Sequence, residues 1–217
     1  MHIDTDSYGS LAIVYVISAI ILVLVWKFID CKMISLPITI LTLVFCIWQT
    51  AFFRVPDREH AGNDKEISSV ADGKVVIIEK VYEPIYLKRE CIQVSVYMDF
   101  FDVHANFWPM TGEVTFYKYF PGEHFLAFKP KASEENEHSC TAMKNADGTE
   151  ILFKQLAGTF ARRIVCYSEP GLKTKAGEQC GIIKFGSRID MYLPLDADIK
   201  VKLGEQVRAC ETIIATL

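Results

Sequence analysis

Cys180–Pro194 reads CGIIKFGSRIDMYLP. Two short runs rich in Ile, Met and Tyr flank the pair Gly186-Ser187, which is strand chemistry interrupted by turn chemistry. The same texture extends in both directions: KVVIIEKVYEP (74–84), CIQVSVYM (91–98), GEVTFYKYF (112–120), TEILFKQLAG (149–158), ARRIVCY (161–167) and DIKVKLGEQVRACETIIATL (198–217). Glycines 73, 112, 122, 148, 158, 177 and 204 punctuate these runs, and none sustains a 3.6-residue period over three turns. Only KASEENEHS (131–139) is expected as a short helix. A mainly β domain, barrel or sandwich, follows from this pattern.

The N-terminal end is different. Residues 7–26 carry no charge and contain LAIVYVISAIILVLVW (11–26); residues 33–53 are also uncharged and end WQTAFF. Each stretch is long enough, at about 1.5 Å per residue, to cross a hydrocarbon layer of about 30 Å. Only KFIDCK (27–32) separates them, so they are expected to form a transmembrane helical hairpin over 1–53, followed by a β-rich domain over 54–217. Trp26, Trp48, Phe52 and Phe53 sit near the ends of the stretches, as in an aromatic belt, and Pro37 falls near the start of the second. The acidic start (Asp4, Asp6) lacks the basic residues of a signal peptide. Arg54, Arg58 and Lys65 after the second stretch outnumber Lys27 and Lys32 in the turn, which favours a cytoplasmic face of the cell membrane for the domain.

Of 217 residues, 51% are hydrophobic and the net charge is −4, so a disordered chain is excluded and no basic footprint for nucleic acid exists. Residues 54–217 hold 21 basic and 24 acidic side chains, a near-neutral domain. Polar, turn-rich FRVPDREHAGNDKEISS (53–69) reads as a linker. The seven cysteines (31, 46, 91, 140, 166, 180, 210) form no C-x-x-C pair, and the five histidines no H-x-x-x-H spacing. Neither a disulfide framework nor a metal site is expected, which fits a reducing compartment. Phosphate-loop, dinucleotide, G-x-S-x-G and H-E-x-x-H motifs are all missing from the text.

Polar clusters remain within the strand-like runs: Asp72 in SSVADGKVV, His104 in FFDVHANFWP, Asn136 and Glu137 in ASEENEHS, Arg162 and Arg163 in QLAGTFARRIV, and Ser187. Each has a plain reading on its own. Asp72-Gly73 suits a hairpin turn, His104 a structural histidine, and the arginine pair one exposed and one paired cation.

Taken in order, FFRVPDR (52–58), VADGKVV (70–76), DVHANFWPMTGEV (102–114), KASEENEH (131–138), QLAGTFARRIV (155–165), GIIKFGSRIDMYLP (181–194) and IKVKLGEQVRACETIIA (199–215) resemble the phosphatidylserine decarboxylases, specifically their short, membrane-anchored prokaryotic branch. The resemblance implies a pyruvoyl-dependent proenzyme. Ser187 Oγ would attack the Gly186 carbonyl, and the ester would eliminate to dehydroalanine and hydrolyse to a pyruvoyl group. A β chain (1–186) and an α chain (187–217) would remain together as a heterodimer. The ketone would form a Schiff base with the amine of phosphatidylserine and accept the electrons left as CO2 departs, giving phosphatidylethanolamine.

By the same resemblance, Asp72 and His104 assist proton movements. Longer members carry a second histidine three residues later, where Phe107 stands here, so His104 serves both steps or activation uses another group. Val70 and His138 are smaller departures. Arg162 or Arg163 would bind the lipid phosphate or the substrate carboxylate, with Arg188 a further candidate. Phe100, Phe101, Phe107 and Trp108 around His104 would either dip into the headgroup region or fill a core. No metal and no nucleic-acid partner is implied, and a higher oligomer stays open. Two other readings also stay open: an archaetidylserine-type decarboxylase with identical headgroup chemistry, and a non-catalytic membrane-tethered β module, because 199–215 resembles the strand–turn–strand text of biotinyl-type hybrid barrels.

Overall fold

The computed structural model describes residues 1–123, 136–158, 163–184 and 187–217, with Ser187 described in its backbone alone. The chain divides into two units, Met1–Pro56 and Asp57–Leu217.

In the first unit, β1 (His2–Ile3) pairs with β2 (Arg54–Val55), closing a hairpin of α1 (Tyr8–Phe28) and α2 (Lys32–Phe52). Each helix has 21 residues and is therefore about 30 Å long. The buried positions of α1 are Leu11, Ser18 and Val25, one every seven residues, a narrow seam of the kind that packs two helices. Ser35, Gln49 and Phe52 are their buried counterparts on α2. The large apolar side chains point the other way: Ile13, Val23, Leu41 and Ile47 are all exposed. That is the reverse of a water-soluble hairpin, and both helices are long and apolar enough to cross a membrane. Several polar side chains bond within the hairpin. Trp26 Nε1 donates to Thr39 Oγ1 (3.1 Å), and Thr39, Thr42 and Thr50 donate to carbonyls one turn back (2.8 Å each). Pro37 is the sixth residue of α2, past the four whose N–H groups are unpaired in any helix, so it does remove one ladder bond.

The second unit is β-rich, as its alternating Val, Ile and Tyr dictate. Its first half holds β3 (Glu66–Ser68), β4 (Gly73–Glu83), β5 (Arg89–Met98), β6 (Ala105–Phe107), β7 (Gly112–Phe120), β8 (His138–Lys144) and β9 (Glu150–Ala157). Its second half holds β10 (Arg163–Cys166), β11 (Lys173–Thr174), β12 (Gln179–Lys184), β13 (Ser187–Leu193), β14 (Asp198–Ile199), β15 (Gln206–Val207) and β16 (Ile213–Thr216). Among the described residues, one open sheet runs β11-β7-β8-β9-β13-β5-β4-β15, and two three-stranded sheets run β10-β12-β6 and β14-β16-β3. Among the described residues, neighbouring strands in these sheets are antiparallel, and β13 is central, between β9 and β5.

Alternation along β13 separates the two faces of the large sheet. Ile189, Met191 and Leu193 join Val94, Val96, Met98, Phe153 and Ala157 in the main core. Arg188, Asp190 and Tyr192 occupy the opposite face.

Three expectations are corrected. The 53–69 segment is built into the domain beyond Asp57: the Ala61 amide donates to the Cys210 carbonyl (2.9 Å), and Glu66–Ser68 is a strand. Asp72-Gly73 is no hairpin turn. Gly73 opens β4 with φ +146°, and a Cβ there would lie 2.2 Å from the Tyr97 carbonyl oxygen. Of the segment expected as a short helix, His138 and Ser139 are strand, and residues 131–135 lie outside the described residues.

Candidate active site

The chain leaves the small sheet at Lys184, the last residue of β12, and enters the centre of the large sheet at Ser187. Only two residues separate β12 from β13, so the corner where the chain passes from one sheet to the other is bounded by Lys184 and Ser187. Gly186 and Arg162 lie outside the described residues. The Ser187 backbone is fixed on both sides, paired with Met98 on β5 and Ala157 on β9. Ala157 is itself held: its amide donates to the Glu137 carbonyl (2.9 Å), and its carbonyl accepts from Asn136 Nδ2 (2.7 Å). The Asn-Glu pair singled out in the sequence therefore buttresses the strand beside Ser187.

His104 immediately precedes β6 and is fully buried. Its carbonyl accepts from the Ile183 amide (3.2 Å), which ties it to the strand leading into the corner. Nδ1 lies 3.1 Å from the Asp102 carbonyl oxygen. A carbonyl only accepts, so Nδ1 carries a proton; in the tautomer that this contact selects, Nε2 holds the lone pair.

Asp72 is brought to the same region through the backbone, because the Phe107 amide donates to the Val70 carbonyl (2.9 Å). Its carboxylate is fully engaged. Arg58 donates to both oxygens, with NH2 2.9 Å from Oδ2, and the Ala209 amide donates to Oδ1 (2.9 Å). That pairing, above all the hydrogen bond to Asp72, pushes the Arg58 guanidinium above its ordinary range.

A buried amide chain lies on the core side of the sheet. Ser139 Oγ donates to Gln155 Oε1 (2.8 Å), and Gln155 Nε2 donates to Asn106 Oδ1 (2.8 Å). Asn106 Nδ2 approaches the sulfur of Met98, the cross-strand neighbour of Ser187, at 4.0 Å. Gly181 leaves room for the chain, since a Cβ there would sit 2.9 Å from Gln155 Nε2. His138 stacks on Phe120 with centroids 4.8 Å apart, and its Nδ1 is 2.6 Å from the Asn136 carbonyl.

The cations divide by role. Arg188 is fully buried and ion-paired with Asp190: NH2 donates to Oδ2 (3.0 Å), and Nε lies 2.7 Å from Oδ1. Its charge is thereby neutralised. Arg163 is exposed at the start of β10, directly across from Lys184. Phe107 and Trp108 are core residues at 2% and 3% exposure, whereas Phe100 and Phe101 are exposed. The sequence marks Arg58 only as a flanking cation and does not mark Asn106 or Gln155; the N-F-W-P and F-K-Q-L runs carry no spacing that marks a buried amide chain.

The domain carries a serine at the head of its central strand and follows, in sequence, two helices apolar enough to cross a membrane. The family model described as phosphatidylserine decarboxylase matches residues 45–215. The chain is similar to the phosphatidylserine decarboxylase proenzyme of Amoebophilus asiaticus (strain 5a2), 44% identical over 186 residues, covering 86% of this chain and 83% of that one. It is 38% identical to the proenzyme of that name from Cytophaga hutchinsonii over 216 residues, covering 99% and 98%. A Bacteroides fragilis proenzyme of the same name is 40% identical over 212 residues, covering 97% and 91%. The chain belongs to the phosphatidylserine decarboxylase family. It is a carboxy-lyase of phospholipid synthesis.

Proposed function

We propose that this chain is a proenzyme that cuts itself between Gly186 and Ser187 and then converts phosphatidylserine to phosphatidylethanolamine and CO2. The observation that carries the reading is the position of Ser187: first residue of the central strand, two residues past the small sheet, with its neighbour Ala157 clamped by Asn136 and Glu137. In the first step Ser187 Oγ adds to the Gly186 carbonyl carbon, and the peptide C–N bond is exchanged for an ester. Elimination leaves Gly186 with a carboxylate. The serine-derived residue then takes up water and loses ammonia to become the pyruvoyl terminus of 187–217.

His104 Nε2 accepts the serine proton, because Nδ1–H is committed to the Asp102 carbonyl. Phe107, buried and without a proton to exchange, leaves both proton transfers to His104. Asp72, already bonded to Arg58 and to Ala209, acts by position and holds the 69–72 segment against β6.

The residues present fit the pyruvoyl group, since the backbone at position 187 is pinned by pairing on both sides. The ketone supplies an electrophile for the substrate amine and a sink for the electron pair released with CO2. His104 Nε2 returns a proton to the substrate α-carbon. Arg163, exposed opposite Lys184 at the mouth of the corner, and Arg162 bind the substrate phosphate. The helical hairpin spans the cell membrane, with the domain on the cytoplasmic face, where a two-dimensional substrate is met at high effective concentration.

The test is release of labelled CO2 from carboxyl-labelled phosphatidylserine, with and without phenylhydrazine. Activity abolished by the hydrazine is expected. Activity that survives saturating hydrazine contradicts the ketone, and no release at all contradicts the substrate.

A further inference from the structure

The four-residue turn Asp99–Asp102, between β5 and β6, carries two exposed phenylalanines. The Asp99 amide donates to Asp102 Oδ2 (2.9 Å), and the Phe101 amide donates to Asp99 Oδ1 (2.7 Å), so each carboxylate accepts from a backbone amide of the turn. Phe100 is 40% exposed and Phe101 76% exposed. A second turn stands beside the first. The Lys202 amide donates to Glu205 Oε2 (2.9 Å), Gly204 has φ +86°, and its amide donates to the Val75 carbonyl (2.8 Å). Leu203 at its tip is 68% exposed, and Gln206 Nε2 links the two turns through Asp102 Oδ1 (3.4 Å). Lys74 and Lys202 are exposed alongside.

The first turn is adjacent to the site at both of its ends. It begins after Met98, the cross-strand neighbour of Ser187, and it ends at Asp102, whose carbonyl orients His104.

We propose that Phe100, Phe101 and Leu203 form a bilayer-contact surface that seats the corner at Ser187 against the lipid headgroups. This rests on the decarboxylase reading for its substrate but not for its geometry. Exposed aromatic and aliphatic tips flanked by lysines match an anionic membrane interface. The carboxylates nearest to them face turn amides. Three side chains on two turn tips are far less than the roughly 800 Å2 per partner of a stable protein interface, so a second copy is not the occupant. The two apolar helices of the same chain keep a bilayer within reach.

The test uses the full-length processed protein reconstituted in phosphatidylcholine vesicles. In the Phe100→Ser/Phe101→Ser variant, kcat/KM for long-chain phosphatidylserine in the vesicle is expected to fall about tenfold. The value for monomeric dihexanoyl phosphatidylserine should stay at that of the unmodified protein, and self-cleavage should be complete. A Phe101→Trp variant should be quenched by brominated-chain lipid beyond the quenching of Trp26, Trp48 and Trp108 in the unmodified chain. Equal loss on both substrates, no loss on either, or no added quenching overturns the surface. If the unmodified protein acts on neither substrate, the decarboxylase reading falls, and the quenching alone decides the surface.

Discussion

Arg58 donates to both carboxylate oxygens of Asp72 across 14 positions of sequence, and neither side chain is more than 11% exposed. Arg58 therefore anchors the acid that the family resemblance assigns to proton movement. Removing it with Arg58→Ala strands a buried carboxylate and should destabilise the domain by about 3 kcal/mol. Asp72→Asn keeps an acceptor for the Ala209 amide and should cost less than Arg58→Ala. Chemical denaturation of both variants in detergent checks the order; equal or reversed losses would show that the carboxylate is not held mainly by the arginine.

Gln155→Leu should break the Ser139–Gln155–Asn106 chain and leave two buried polar groups without partners, a loss of about 2–3 kcal/mol. Gly181→Ala attacks the same place from the backbone, because its Cβ would lie 2.2 Å from the Val165 carbonyl oxygen. About 3 kcal/mol is expected there as well, since strand β12 must shift. Thermal midpoints of the two variants are the readout, and an unchanged midpoint for either contradicts the packing described.

How far these features are legible in the sequence differs by kind. Strand chemistry in 180–194 and the uncharged stretches 7–26 and 33–53 announce the two halves, because burial in a sheet or in lipid is written in local composition. Ser187, His104 and Asp72 stand out because they recur in family text. The partners do not: Arg58 lies in a stretch that reads as a linker, and Asn106 and Gln155 meet across 49 positions. Such pairings depend on which strands become neighbours, and β12 and β13 belong to different sheets although only two residues separate them. The two phenylalanines at 100 and 101 could not be separated from Phe107 and Trp108 by composition; only the turn built by Asp99 and Asp102 does so.

Burial lowers the pKa of His138, with the Asn136 carbonyl opposing the shift and Lys154 adding to it. The folded state therefore binds the proton less readily than the unfolded chain, whose histidine titrates at about 6.5. Stability is full above that value and is lost as pH falls from about 6.5 toward the depressed folded-state pKa. Thermal midpoints at pH 8 and pH 5.5 should differ more for the unmodified protein than for His138→Gln. The same difference in both would remove this histidine from the acid response.

Burial pushes the Cys140 and Cys210 thiols up to about 12, and that of Cys180 well above its ordinary value. At pH 8 they are protonated and enclosed, so iodoacetamide should leave all three unmodified in the native protein. Peptide mapping after a short exposure checks this, and labelling of Cys180, fully buried on β12, would contradict the packing of that strand.

Intact-mass analysis of the freshly purified protein, beside its Ser187→Ala variant, tests the central claim most directly. Two fragments are expected from the unmodified chain, 1–186 and 187–217, the shorter with its N-terminus blocked by a ketone, and a single full-length mass from the variant. A single full-length mass from both would contradict self-cleavage at the corner between the sheets.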